Sequence, residues 1–444
     1  MYIFHSRLKI TSAQAIIFGF LAIILTGALL LMLPAASVDG RSADFVTALF
    51  TATSSVCVTG LVVRDTATAW TGFGQAVILS LIQIGGMGVI MVAMSIAMIS
   101  GKRIGLMQRS AMADSISAPQ VGGIVRYVRF IIKGIFIIEL TAAAVMAPVF
   151  IRDFGPAKGV WYAVFHSVSA FCNAGYDLMG VRQPFSSLTS YASDPVINIT
   201  IMLLIVIGGI GFLTWNDIIT HGLHFRKYRM QSKVILVTTA LLIIIPAILF
   251  YFLEFRDMPV GTRLLCSFFQ SVTPRTAGFN TVPLDKMSED GQILMIILML
   301  IGGSPGSTAG GMKTTTFAVV LLSMFSVFSR RDESTAFGRR IEETTVRYAL
   351  SILMMYLTLF LGAALIISRY EGLPILACCY ETASAIGTVG LTLGITPHLH
   401  TLSRLLLIGL MYFGRVGGLT LIYATIPNMR KCIVKLPAER LTVG

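Results

Sequence analysis

Residues 374–386 form an apolar run that stops at Gly387-Thr388-Val389-Gly390-Leu391. Thirteen residues cannot cross a bilayer, which takes roughly 20. Three other places in the chain read the same way: Val56-Cys57-Val58-Thr59-Gly60-Leu61, Cys172-Asn173-Ala174-Gly175-Tyr176 and Arg275-Thr276-Ala277-Gly278-Phe279. They follow apolar runs at 43–53, 160–171 and 262–272, of 11 to 12 residues each. The loop glycines lie 115, 103 and 112 residues apart, near a quarter of the 444-residue chain. One unit has been used four times, the kind of internal repeat that decides a fold.

A second landmark supports the repeat. Some 24 to 33 residues beyond each loop glycine, glycines cluster inside the next apolar stretch: Ile84-Gly85-Gly86-Met87-Gly88, Ile207-Gly208-Gly209-Ile210-Gly211, Ile301-Gly302-Gly303-Ser304-Pro305-Gly306 and Gly414-Arg415-Val416-Gly417-Gly418. Each unit reads span, half-helix, glycine loop, span. Uncharged spans are expected at 10–33, 75–100, 196–216, 234–253 and 348–368, with three more interrupted by Glu139, Lys313 and Arg415. The expected fold is an all-α integral membrane protein of eight transmembrane helices and four re-entrant half-helices around one pseudo-fourfold pore. The repeats are placed at 10–100, 126–220, 231–330 and 345–430.

Composition agrees: 55% of residues are hydrophobic and 12% charged, against about 25% charged in soluble domains. The net charge of +13 reflects basic connections between spans rather than a nucleic-acid face. Alternate connections carry 21 and 11 Lys and Arg residues, which places both termini in the cytoplasm. The six cysteines lie mostly in apolar segments without ligand-like spacing and read as packing residues. The first apolar run, of 24 residues, is too long for a cleaved signal core and reads as an anchor.

Irregular backbone at membrane depth must be buried in protein or line water. Four such loops therefore meet at an axis, where glycine lets carbonyls turn inward and replace an ion's hydration shell. The half-helices aim their partly negative C-terminal ends inward, which favours a cation. With few charges in the loops, potassium or sodium is expected rather than calcium. Asp65, Asp177, Asp285 and Glu381 near the outer ends are either a weakly attractive vestibule or ordinary structural carboxylates.

The four loops and the interrupted third-unit helix resemble the Trk/Ktr/HKT family of cation transporters, and within it the bacterial Ktr membrane subunit. The likeness runs from residue 10 to about 429. It implies a potassium-conducting subunit of the bacterial plasma membrane, often sodium-stimulated, that forms a homodimer gated by a cytosolic RCK-type nucleotide-binding ring. By motif, the ion-binding filter would be Cys57, Val58, Thr59 and Gly60; Asn173, Ala174 and Gly175; Thr276, Ala277 and Gly278; and Thr388, Val389 and Gly390. Only Thr388-Val389-Gly390 reproduces a potassium-channel-like triplet, while Gly60, in place of the serine of sodium-preferring plant relatives, points toward potassium. Gly302, Gly303, Ser304, Gly306, Gly310 and Gly311 break the third unit's second helix, and the resemblance makes this stretch an intramembrane gate with Arg415 against it.

An arginine among apolar residues needs carbonyl or carboxylate partners, which freed loop carbonyls would supply. Lys313 is either a pore-blocking charge or a side chain snorkelling to the cytoplasmic interface. Glu139 reads as a structural acceptor before a proton or sodium relay, and His166, His398 and His400 have no ligand-like companions. The stretch 302–313 only superficially resembles a phosphate loop, no catalytic constellation is evident, and no nucleotide is expected on this chain. Two rivals stand beside the pore: a sodium-selective or sodium/potassium-cotransporting secondary transporter, which usually shows two broken helices rather than four repeats, and a non-conducting assembly subunit. Arg226-Lys227-Tyr228-Arg229 and Arg330-Arg331 face either a partner ring or anionic lipid headgroups.

Overall fold

The computed structural model describes residues 12–99 and 122–418, with isolated positions at 105, 109, 110, 112, 113, 420 and 439. Basic residues of the expected cytoplasmic connections at 7–9, 102–121 and 430–440 lie outside the described residues almost entirely, as does most of the last span beyond 418.

Four units follow one another. The first has α1 (Ser12–Leu31), the short α2 (Phe45–Val56), then α3 (Gly72–Met87) and α4 (Val89–Ile99). The second has α5 (Ile124–Phe154), short α6 (Pro156–Phe171), α7 (Pro195–Gly209) and α8 (Phe212–His221). The third has α9 (Met230–Leu249), short α10 (Val260–Val272), α11 (Glu289–Leu300) and α12 (Thr314–Phe328). The fourth has α13 (Glu343–Glu371), short α14 (Ile375–Gly387) and α15 (Thr401–Val416). A small hairpin pairs Thr335–Ala336 with Arg339–Arg340.

Local chemistry sets these bounds. Asp44, Thr71, Asp194 and Ser288 each accept hydrogen bonds from first-turn amides of α2, α3, α7 and α11, satisfying donors a helix start leaves free. α1, α5, α9 and α13 are long and apolar enough to cross a bilayer. Their outward faces carry Leu29, Ile137, Leu241 and Leu365, all exposed. The polar residues Ser54, Ser169, Gln270 and Ser384 of the short helices are fully buried. Apolar outside and polar within is the arrangement a lipid solvent selects.

The expected spans at 75–100 and 196–216 are each a bent pair of helices. α3 and α4 are bent by 98° about Gly88, and α7 and α8 by 99° at a break holding Gly211. Both glycines, and Gly417 after α15, have φ of 87° to 88°, which ends the helical ladder and which other residues adopt only with strain. The third unit makes its break with residues 301–313. The second helix is therefore interrupted at a comparable place in the first three units, and that of the fourth ends at the matching Val416 within the described residues.

These glycines also set the packing. A methyl group on Gly85, Gly208 or Gly414 would strike the carbonyl oxygen of Val56, Phe171 or Ile386, each four residues before its loop glycine. The broken helices thus seat the ends of the short ones at backbone contact.

Candidate functional site

Gly60, Gly175, Gly278 and Gly390 meet in a ring. A methyl on Gly60 would run into the carbonyl oxygen of Ala174, and one on Gly175 would lie 2.7 Å from that of Ala277. One on Gly278 would strike that of Val389, and one on Gly390 that of Thr59. Each glycine faces the carbonyl just ahead of the next loop's glycine, and the fourth loop closes on the first.

The backbone repeats as closely. Val58, Asn173, Thr276 and Thr388, two residues before each glycine, have φ of 57°, 60°, 68° and 51°. The glycines have φ of 91°, 68°, 82° and 94°, and the residues between are not left-handed. Such alternation turns successive carbonyls to one side, the arrangement that lets a loop line an ion path with oxygens. A left-handed non-glycine residue costs about 1–2 kcal/mol, so something must hold it. Thr59, Ala174, Ala277 and Val389 amides donate to the carbonyls of Ser54, Ser169, Thr273 and Ser384 at 2.8, 2.7, 3.0 and 2.8 Å. The Ser54 and Ser384 hydroxyls accept from Gly60 and Gly390 amides at 3.1 and 3.0 Å, and those of Ser169 and Thr273 donate to Tyr176 and Phe279 carbonyls at 2.7 and 2.5 Å.

Of the residues the sequence assigned to this ring, Cys57 sits apart as the right-handed C-cap of α2. The other twelve occupy matching loop positions. The hydroxyls of Thr59 and Thr388 are buried and carry no protein hydrogen bond.

Residues 301–313 lie directly against this ring. A methyl on Gly310 would meet the Thr388 side chain, and one on Gly311 would lie 2.8 Å from the Gly387 carbonyl oxygen. Thr308 Oγ1 donates to the Phe171 carbonyl at 3.0 Å and lies 3.4 Å from Asn173 Oδ1. The loop is tied to the second helices of the second and fourth units: Ser304 N donates to Gly209 O at 2.9 Å and Phe212 N to Gly306 O at 2.7 Å, on either side of the second unit's break, and Gly311 N to Gly414 O at 3.1 Å. Ser304 Oγ shares a 2.9 Å hydrogen bond with Thr314 Oγ1, and Gly303 O accepts from Thr314 N at 3.0 Å. Gly302 N donates to Met312 O at 2.7 Å, closing the loop at its base.

Arg415 meets the loop as expected, donating to the Thr308 carbonyl. It also donates to Gly85 O, which accepts from Gly88 N as well, and at 3.2 Å to Gly86 O, a carbonyl at the α3 C-terminus left free by the break. One side chain thus joins the first, third and fourth units. Lys313 does not extend away from the loop; it is half-buried and donates to Ala309 O at 2.9 Å, with Gly310 O at 3.5 Å.

The outer carboxylates divide. Asp65 is buried and caps a short turn while accepting from Phe185 N at 2.9 Å, and Glu381 is buried against Thr392 and Thr396 hydroxyls. Both are structural. Asp177, in the outer loop, accepts from Met179 N at 2.8 Å; burial, with Asp65 nearby, pushes its carboxyl up to about 7. Asp285 and His398 are exposed and help line an outer cavity of about 420 Å³ that reaches Gly390. His166 is buried, its Nδ1 2.7 Å from Tyr162 O and its Nε2 accepting from Leu178 N at 3.3 Å, which makes it a neutral structural bridge. Among the described residues no three His, Cys, Asp or Glu side chains form a metal-binding group.

Long apolar helices, four buried re-entrant turns and a closed ring of loops define a multi-pass membrane protein. The chain belongs to the TrkH family, described as "Cation transport protein", whose sequence pattern matches residues 7–431. It is 39% identical to the potassium/sodium uptake protein NtpJ of Enterococcus hirae, over 99% of this chain and 98% of that one. It is 36% identical to the Ktr system potassium uptake protein B of Bacillus subtilis, over 94% and 93%. The crystal structure of the potassium transporter TrkH from Vibrio parahaemolyticus has the same fold, with TM-score 0.73 at 18% identity over 95% of this chain and 86% of that one.

Proposed function

We propose that this chain carries potassium into a bacterial cell across the plasma membrane, through a channel-like pore whose filter is the four-loop ring. The observation that carries this is the closure of that ring, in which Thr59, Ala174, Ala277 and Val389 present matched carbonyls to neighbouring glycines. The half-helices α2, α6, α10 and α14 all end at these loops, so four partly negative termini surround one point. The unbonded hydroxyls of Thr59 and Thr388 are further oxygens for a partly dehydrated cation. The naming of related proteins for potassium uptake supports the choice of ion.

An inside-negative potential supplies about 2.3 kcal/mol per charge per 100 mV, enough for inward accumulation without a second fuel. Residues 302–313 act as the gate, held shut by Arg415 and Lys313. The chain works as a homodimer with both termini cytoplasmic, stimulated by sodium and opened by a cytosolic RCK-type nucleotide-binding ring; the nucleotide belongs to that partner. A related protein named for both potassium and sodium favours one second reading, a pore or cotransporter that also carries sodium. Competition between the two ions for flux in liposomes separates them: sodium that only accelerates potassium flux supports the first, and stoichiometric sodium uptake the second.

A further inference from the structure

Between α3, α5 and α6 a cavity of about 290 Å³ is lined by Leu79, Phe136, Leu140, Ala143, Val164 and Val168, with Glu139 and Gln83 within it. Phe136 and Leu140 are exposed on the outer face of α5, so the cavity opens toward lipid. Glu139 stands midway along the 31-residue α5 and is 4% exposed.

Its carboxylate has weak company: Gln83 Nε2 at 3.3 Å on one oxygen and Cys172 Sγ at 3.9 Å from the other. Among the described residues no Lys, Arg or His pairs with it. Carboxyls at membrane depth are normally paired with another protein group or with backbone. This one faces an apolar chamber of ligand size instead.

We infer that this chamber is a binding site for a compact lipophilic amine reaching it from the bilayer. The chemistry fits on both sides. An apolar cage fills the cavity, and a single basic nitrogen meets the carboxyl. A neutral amine and the neutral acid exchange one proton, breaking O–H and forming N–H. The resulting ammonium carboxylate pair brings no net charge into the membrane, and the retained hydrogen bonds keep both ends solvated.

Occupancy bears on the second loop. Cys172 directly precedes left-handed Asn173, and Ser167 of α6 donates to the Glu139 main-chain carbonyl at 2.6 Å. The effect on flux rests on the proposed function, whereas binding does not.

The test is binding of radiolabelled 1-adamantylamine to the full chain in nanodiscs, with empty nanodiscs subtracted. Saturable binding is expected, weakened at least tenfold by Glu139→Gln and by Ala143→Leu, which fills the cavity and keeps the acid. Glu139→Asp should retain part of it, and 1-adamantanol, of equal shape without the basic nitrogen, should not compete. No saturable binding, binding unchanged in both variants, or equal competition by the alcohol overturns the assignment. If binding follows this pattern while flux does not respond to the amine, the site stands and its link to the loop does not.

Discussion

Replacing Arg415 with glutamine tests the proposed gate at a charged contact that ties the loop to two other units. The guanidinium reaches Thr308 O on the loop and Gly85 O and Gly86 O on the first unit. The proposed gate movement breaks the first of these and leaves the other two. A hydrogen bond to a charged group contributes about 1.5–3 kcal/mol net. Its loss should raise the open-to-closed ratio about 10- to 150-fold, since each 1.4 kcal/mol is a factor of ten. The true increase in flux is capped when the open state becomes dominant. Potassium flux into liposomes, normalised to protein that elutes as a single oligomer, reads the change directly. Arg415→Lys should fall between, because one ammonium cannot span two units as the planar fork does. Unchanged or reduced flux in a correctly assembled Arg415→Gln protein would make Arg415 a purely structural tie with no part in gating.

Gly60→Ser puts a side chain against the Ala174 carbonyl at φ 91°; strain of about 1–2 kcal/mol should reduce potassium preference over sodium about tenfold, read from uptake of both ions. Unchanged selectivity would remove that loop from the filter. Deleting residues 302–311 should increase flux, since Ile301 and Met312 already pair at the loop's base; reduced flux in an assembled protein would count against a gate. Asp177 has a raised carboxyl pKa, so the folded state favours its neutral form, and stability falls as pH climbs from near 3.8 to about 7. Subtracting the Asp177→Asn thermal profile should isolate that loss, and parallel profiles would show that burial there is incomplete.

Much of the design is written in glycine spacing. The four loops and short helices fell where the repeat placed them, and Arg415 found a loop carbonyl. The spans at 75–100 and 196–216 fell on bent helix pairs, and the bends went unread because apolar composition outweighs one glycine in a hydropathy count. The signal was present: Gly88 and Gly211 end clusters that match the openly broken Gly302 to Gly306 stretch. Ser54, Ser169 and Ser384 stand six residues before their loop glycines, a register visible once the four segments are aligned. Other contacts had no sequence signature. Arg415 reaches Gly85 across 330 positions, and Thr308 reaches Phe171 across 137. Lys313 curls back onto Ala309, which neither blocking nor snorkelling anticipates.

A cation path through the ring would show itself most directly as flux through the purified chain in liposomes under an imposed inside-negative potential. Potassium or sodium is supplied as the sole permeant cation, with and without a cytosolic nucleotide-binding subunit. Potassium uptake that exceeds sodium uptake, and that Gly60→Ser shifts toward sodium, is the expected result. Absence of flux for either ion under both conditions, from protein shown to be folded and reconstituted, would contradict it.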